Sequence, residues 1–196
     1  MRAATTMLNS QKRTSPTVTA TNAVRRTFAS SATAPSPKDM SAPKPNVDPP
    51  AHKMVYFPKM TTEFPRKSHE FRRVLWTGES SQLVEMTVPV KGNGPDGRGE
   101  IGNEVHHVDQ HLIFTQGTCK AIIAGEEQIC KAGDLCIVPQ GTEHNFVNIG
   151  DEELILFTVY APAEHAPTTV HKTMEEGEKL EDEGKDEAPA WSKPKH

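Results

Sequence analysis

Between Phe71 and Pro162 the chain repeats one pattern: a short apolar run, a cluster of turn-forming residues, then another run. Residues 81–88, 110–116, 118–123, 127–130, 134–139, 144–149 and 153–161 are each of strand length and apolar content. The stretches GNGPDGRG, AGEE, KAGD, PQGTE and GDEE, together with Gly117, separate them, and tight turns require such residues. Apolar residues spaced i, i+3, i+4, i+7 are sustained nowhere in this region, which excludes a bundle of amphipathic helices. Strands at this spacing bury their apolar faces only by packing sheet on sheet or by closing into a barrel, so the expected fold is all-β.

The ends have other compositions. The first 38 residues contain no Asp or Glu and carry Arg2, Lys12, Arg13, Arg25, Arg26 and Lys38 among many Ser, Thr and Ala. An arginine-bearing, hydroxyl-rich, acid-poor start suits a transit segment, and RRTFAS at 25–30 is similar to a mitochondrial processing site. Residues 1–33 are therefore expected to direct import to the mitochondrial matrix. The alternative is a basic tail on a cytoplasmic protein. Residues 34–50, rich in Pro, Ser, Ala and Lys, are expected to form a linker, and 51–172 the β-barrel domain. From 173 to 196 the chain is acidic and nearly devoid of apolar residues, which predicts a disordered tail with at most a fraying helix at 174–183.

Several function classes drop out. No run of about eighteen apolar residues exists, so no segment is expected to insert as a membrane-spanning helix. Basic residues of the domain are not clustered and the tail is acidic, which disfavours nucleic acid as a partner. There is no GxSxG and no phosphate-cradling glycine loop. The three cysteines, Cys119, Cys130 and Cys136, lie in strand-like surroundings without CxxC pairing. They read as reduced thiols, the alternative being a Cys119–Cys130 link across a hairpin.

The stretch with most chemistry is EVHHVDQH at 104–111. With period-two alternation, Glu104, His106, Val108, Gln110 and Leu112 share one face, while His107, Asp109 and His111 share the other. The three histidines therefore do not converge, and His107 and His111 fall to solvent or to an interface with a second copy in a homodimer. A second histidine of interest, His144, follows PQGTE, where Pro139 stops strand pairing and Gly141 permits a sharp return. Glu143 points away from His144 on its strand. His165 and His171, beyond the last clear strand, are expected to be surface groups.

Gly133, Pro139, Gly141, His144 and Asn148 stand in the spacing G-x5-P-x-G-x2-H-x3-N, which resembles the second motif of the cupin superfamily. Anchoring the first motif, G-x5-H-x-H-x3–4-E-x6-G, on Gly117 puts Gln110 at its glutamate, His106 at its second histidine and Glu104 at its first. The resemblance covers roughly residues 71–172. SQLVEM, GTEHN and EHAPTTVHKT also look like a branch of small single-domain cupins, in which the last of these segments packs back on the barrel. The resemblance implies a double-stranded β-helix, or jelly-roll barrel, flanked by disordered N- and C-terminal tails.

It also implies a divalent metal held by Glu104, His106 and His144, with Gln110 as a weak fourth ligand or a hydrogen-bonding neighbour. Two imidazoles and one carboxylate suit Fe(II) or Mn(II). The expected function is a metal-dependent enzyme of dioxygenase, isomerase or decarboxylase type, acting on a small molecule within walls such as Leu112, Phe114, Phe146 and Ile137. The alternative is a non-catalytic cupin in which Glu104 and Gln110 hydrogen-bond a sugar or small organic acid.

Overall fold

The computed structural model describes residues 44–63, 69–94 and 97–193; the expected transit segment at 1–33 lies outside them. Among the described residues nine strands follow in chain order: β1 (Arg72–Thr77), β2 (Gln82–Val88), β3 (Asp109–Gln116), β4 (Thr118–Ile123), β5 (Glu126–Lys131), β6 (Leu135–Val138), β7 (His144–Asn148), β8 (Leu154–Ala161) and β9 (Val170–His171). They form a six-stranded sheet in the order β6-β3-β8-β2-β1-β9 and a three-stranded sheet in the order β5-β4-β7. Every pairing is antiparallel.

Alternation decides what each strand buries. On β3, Gln110, Leu112 and Phe114 point inward, and on β7 His144, Phe146 and Asn148 do. The Phe114 and Phe146 rings meet at 5.9 Å between centroids and join the two sheets. Cross-strand register stacks the inner face of the large sheet in rows. Phe114, Leu156 and Met86 form one row, and Leu112, Thr158 and Val84 the next. The third row, Gln110, Tyr160 and Gln82, is polar, although all three residues are buried. Buried polar groups need partners, and this row marks where the core gives way to a site.

Three expectations change. Ile137, read as a wall of the pocket, is 51% exposed. On β6 it pairs with His111 on the outer face, while Val138 pairs with Gln110 and turns inward. The strand expected at 110–116 begins at Asp109, so the alternation expected from Glu104 to Leu112 is not carried by one strand. Residues 105–108 carry the chain from the small sheet, where Glu104 bridges His144, to the large one. The alternation of burial survives this crossing: His106, Val108 and Gln110 are buried, whereas Val105, His107 and Asp109 are exposed.

The acidic segment from 173 is the third correction: up to residue 193 it is folded. Helix α1 (Met174–Asp182) is capped by the Thr173 side chain, which accepts from the Glu176 amide, and Met174 and Gly177 are buried. Beyond the helix, Asp186, Ala188 and Ser192 are buried as well. Composition missed this because the segment is held by buried polar contacts more than by apolar area. Asp186 is within 2.8 Å of His165 Nδ1 and accepts from the Ala166 amide at 2.9 Å and from Thr169. Near the other end, Asn46 in the expected linker mimics a strand partner, exchanging hydrogen bonds of 2.9 and 2.7 Å with the backbone of Thr77. No helix among the described residues is long and apolar enough to cross a membrane.

Candidate metal centre

The site is built where the segment before β3 runs against β7. Glu104 and His144 exchange backbone hydrogen bonds of 2.9 and 3.0 Å, which puts their side chains on one side of the small sheet's edge. The Gly141 amide donates to the His106 carbonyl at 2.7 Å, so the turn after β6 fixes the third residue. Gly141 has φ +74°, the left-handed region that a residue with a Cβ adopts at a cost. The two sequence motifs are thus tied by backbone bonds before any ligand is considered.

Donor atoms of Glu104, His106 and His144 lie within 4.8 Å of one another. The His106 and His144 rings are 5.1 Å apart. His144 Nδ1 lies 2.8 Å from the Thr142 carbonyl, which makes it the protonated nitrogen and leaves the Nε2 lone pair free. Nε2 is buried and has no protein partner. Burial, followed by the nearby charge of His106, lowers the His144 pKa despite the Thr142 carbonyl, so the ring stays neutral as a metal ligand must. Gln110 donates to Tyr160 Oη at 3.0 Å, and its Oε1 is a buried acceptor with no partner.

His106 lies between two carboxylates, with Nε2 at 3.1 Å from Glu104 and Nδ1 at 3.3 Å from Glu164. Burial works against its charge, but the hydrogen bonds to Glu104 and Glu164 push its pKa up to about 9. Glu104 is also bound by Arg72, whose Nη2 donates at 2.9 Å. Burial opposes its ionisation too, yet Arg72 and then His106 hold its carboxyl down at about 2. Without metal, therefore, a protonated His106 balances the carboxylates, and a divalent cation would take over that charge by displacing its proton.

The structure brings Glu104, His106 and His144 together and leaves Gln110 hydrogen-bonded beside them. His107 is exposed, and His111 sits between Ile137 and Val159 on the outer face, away from the site. Glu143 is exposed and takes the Asn103 amide. His165 and His171, expected at the surface, are each 2% exposed. They are 2.8 and 3.5 Å from Asp186.

Residues not foreseen are Arg72, Tyr160, Glu164, Glu181 and Asp186. Of these only Glu164 lay in a segment whose motif had been noticed, EHAPTTVHKT. The cysteines are reduced, with Cys119 opposite Cys130, and burial raises the pKa of all three thiols.

Two cavities flank the site. One of about 390 Å³ is lined by His106, Pro162, Glu164, His165, Glu181 and Asp186 among others. The other, of about 420 Å³, touches Glu104, His106, Glu164, Glu178, Glu181 and Asp182.

Residues 94–160 match the family described as Cupin domain. Among curated proteins the chain is 34% identical over 130 residues to the uncharacterized protein YrkC of Bacillus subtilis (strain 168), covering 60% of this chain and 63% of that one. It is 30% identical over 106 residues to the uncharacterized protein L612 of Acanthamoeba polyphaga mimivirus, covering 52% of this chain and 62% of that one. The matched region thus spans under two thirds of both relatives. Among solved structures, BH2720 from Bacillus halodurans superposes with a TM-score of 0.59 at 27% identity, covering 65% of this chain and 96% of that one. With its two motifs tied across β7, its two antiparallel sheets and these matches, the stretch at 94–160 forms a cupin domain, and the strands around it have the double-stranded β-helix fold.

Proposed function

We propose that this cupin domain is a metal-dependent enzyme acting on a small organic molecule at the barrel mouth. The observation that carries the reading is His144: one ring nitrogen is pinned by a backbone carbonyl, and the other is buried with no partner beside Glu104 and His106. Second contacts of this kind orient metal-binding imidazoles. Glu104, His106 and His144 would hold the ion, and Gln110 Oε1 offers a neutral fourth oxygen. Two imidazoles with a carboxylate favour Fe(II) or Mn(II). Such an ion would supply Lewis acidity or oxygen activation. The residues of the chain do the rest: Glu164 holds the His106 ring, Tyr160 holds Gln110, and the apolar rows behind them keep water from the inner side.

One observation favours a second reading. Arg72 and protonated His106 already neutralise Glu104, as they would in a metal-free cupin that binds a polar ligand by hydrogen bonds. Elemental analysis of protein purified without chelator separates the two. About one equivalent of iron or manganese supports the enzyme; an empty protein that takes up no added Mn2+ overturns it. The arginine-bearing, acid-free start supports import into mitochondria as the location, which imaging a fluorescent fusion of the full chain would check.

A further inference from the structure

Arg72 is 1% exposed, and an arginine does not shed its charge on burial. It therefore needs anions, and Glu104 supplies one. The second comes from far along the chain: Arg72 Nη1 donates to Glu181, the penultimate residue of α1. Arg72 Nε remains buried with no partner, so the guanidinium has donor capacity that the protein does not use.

Glu181 has a second role in the geometry, since its side chain lines both cavities at the barrel mouth. It is common to both linings with His106 and Glu164, and at 35% exposed it is reachable from solvent, whereas the Arg72 that it binds is 1% exposed. The helix can lie this close because its fourth residue is Gly177, where a Cβ would come within 2.9 Å of His171 Nδ1 and 3.7 Å of Arg72 Nη1. Burial, with Glu104 adding to it, raises the Glu181 pKa although Arg72 opposes the shift; Glu104, Glu164 and Asp186 are all shifted the other way. Of these carboxylates, Glu181 is the one its surroundings hold least firmly.

We propose that Glu181 occupies the seat of a ligand carboxylate: Arg72 binds the carboxylate of a small organic acid, which displaces Glu181 and joins the two cavities. The other walls narrow the class. Glu164, Glu178, Asp182, Asp186 and Glu187 line the same cavities; Lys193 pairs with Glu187 and Arg98 with Glu178, and the other three would repel a second carboxylate on the ligand. They would accept hydrogen bonds from hydroxyl or amino groups. The ligand is thus a monocarboxylate bearing donors, of the hydroxy-acid or amino-acid kind. This rests on the reading of the mouth as a small-molecule site and names the substrate class for it.

The test uses the full chain stripped with EDTA, so that no bound ion can hold the ligand, and titrates it calorimetrically with lactate and with neutral lactamide. Glu181 competes at an effective concentration on the order of millimolar or more, so Glu181→Ala is expected to tighten lactate binding at least about tenfold. Glu181→Gln, which keeps the shape and drops the charge, should tighten it less. Lactamide should not bind, and Arg72→Met in the Glu181→Ala background should abolish lactate binding. Equal binding of lactate and lactamide overturns the proposal, as does unchanged affinity in both Glu181 variants. A separate Mn2+ titration of the wild type reports on the metal ligands alone. Metal uptake without lactate binding overturns the carboxylate seat and leaves the enzyme reading standing. Lactate binding without metal uptake does the reverse.

Discussion

His106, His144 and His111 carry the same side chain on neighbouring stretches, and their surroundings give them different work. His106 is shared by two carboxylates, His144 has a free buried nitrogen, and His111 faces out beside Ile137. Replacing His106 or His144 by Ala should therefore remove most bound metal, measured by elemental analysis, whereas His111→Ala should retain it. Glu104→Gln should weaken metal binding about 10-fold or more, and more than Gln110→Ala does. If His111→Ala strips the metal and His106→Ala keeps it, the proposed ligand set is wrong.

Asp186 yields a prediction about pH. Burial alone would raise its pKa, but hydrogen bonds from His165, Thr169 and the Ala166 amide outweigh it and hold the value well below the ordinary one. A depressed folded pKa contributes stability above the unfolded value, about 4, and loses it as pH falls through the folded one. Asp186→Asn should thus cost about 2 kcal/mol at pH 7 in urea unfolding. The gap from wild type should narrow below about pH 4, and a gap that stays constant with pH would contradict the assignment.

At the scale of elements, the turn between β6 and β7 matters more than its exposure suggests. Gly141 has open space where a Cβ would stand, so size does not restrict it; its φ of +74° does. Gly141→Val should cost about 1–2 kcal/mol, seen as a melting temperature several degrees lower. An unchanged midpoint would mean that the turn relaxes at no cost. The proline and glycine spacing made this turn legible in the sequence, because local backbone demands fall on local residues. Helix α1 was not legible as a docked element. Its anchors, Glu181 to Arg72 and Asp186 through His165 and His171 behind it, join residues 109 or fewer positions apart that no local period relates.

At the scale of the whole molecule, the candidate centre ties the 99–106 segment to β7 and to the turn at Gly141, so an ion there would bind the folded chain and not the unfolded one. Mn2+ at about 100 times its Kd should then stabilise the protein by about 2.7 kcal/mol. Scanning calorimetry should show a rise in Tm that EDTA reverses and that His144→Ala lacks; a rise of equal size in His144→Ala would place the ion elsewhere. The sequence by itself determined the all-β core and the inward residues Gln110, Leu112, Phe114, His144 and Phe146, because a period of two and turn chemistry act over a few neighbouring positions. It also aligned Glu104, His106 and His144 through motif spacing. Only the tertiary structure decided that Ile137 faces out, that the strand breaks before Asp109, and that a glutamate from an acidic tail meets a buried arginine. Those outcomes depend on which strand lies beside which and on charges that must find partners once buried, and neither is written in the order of neighbouring residues.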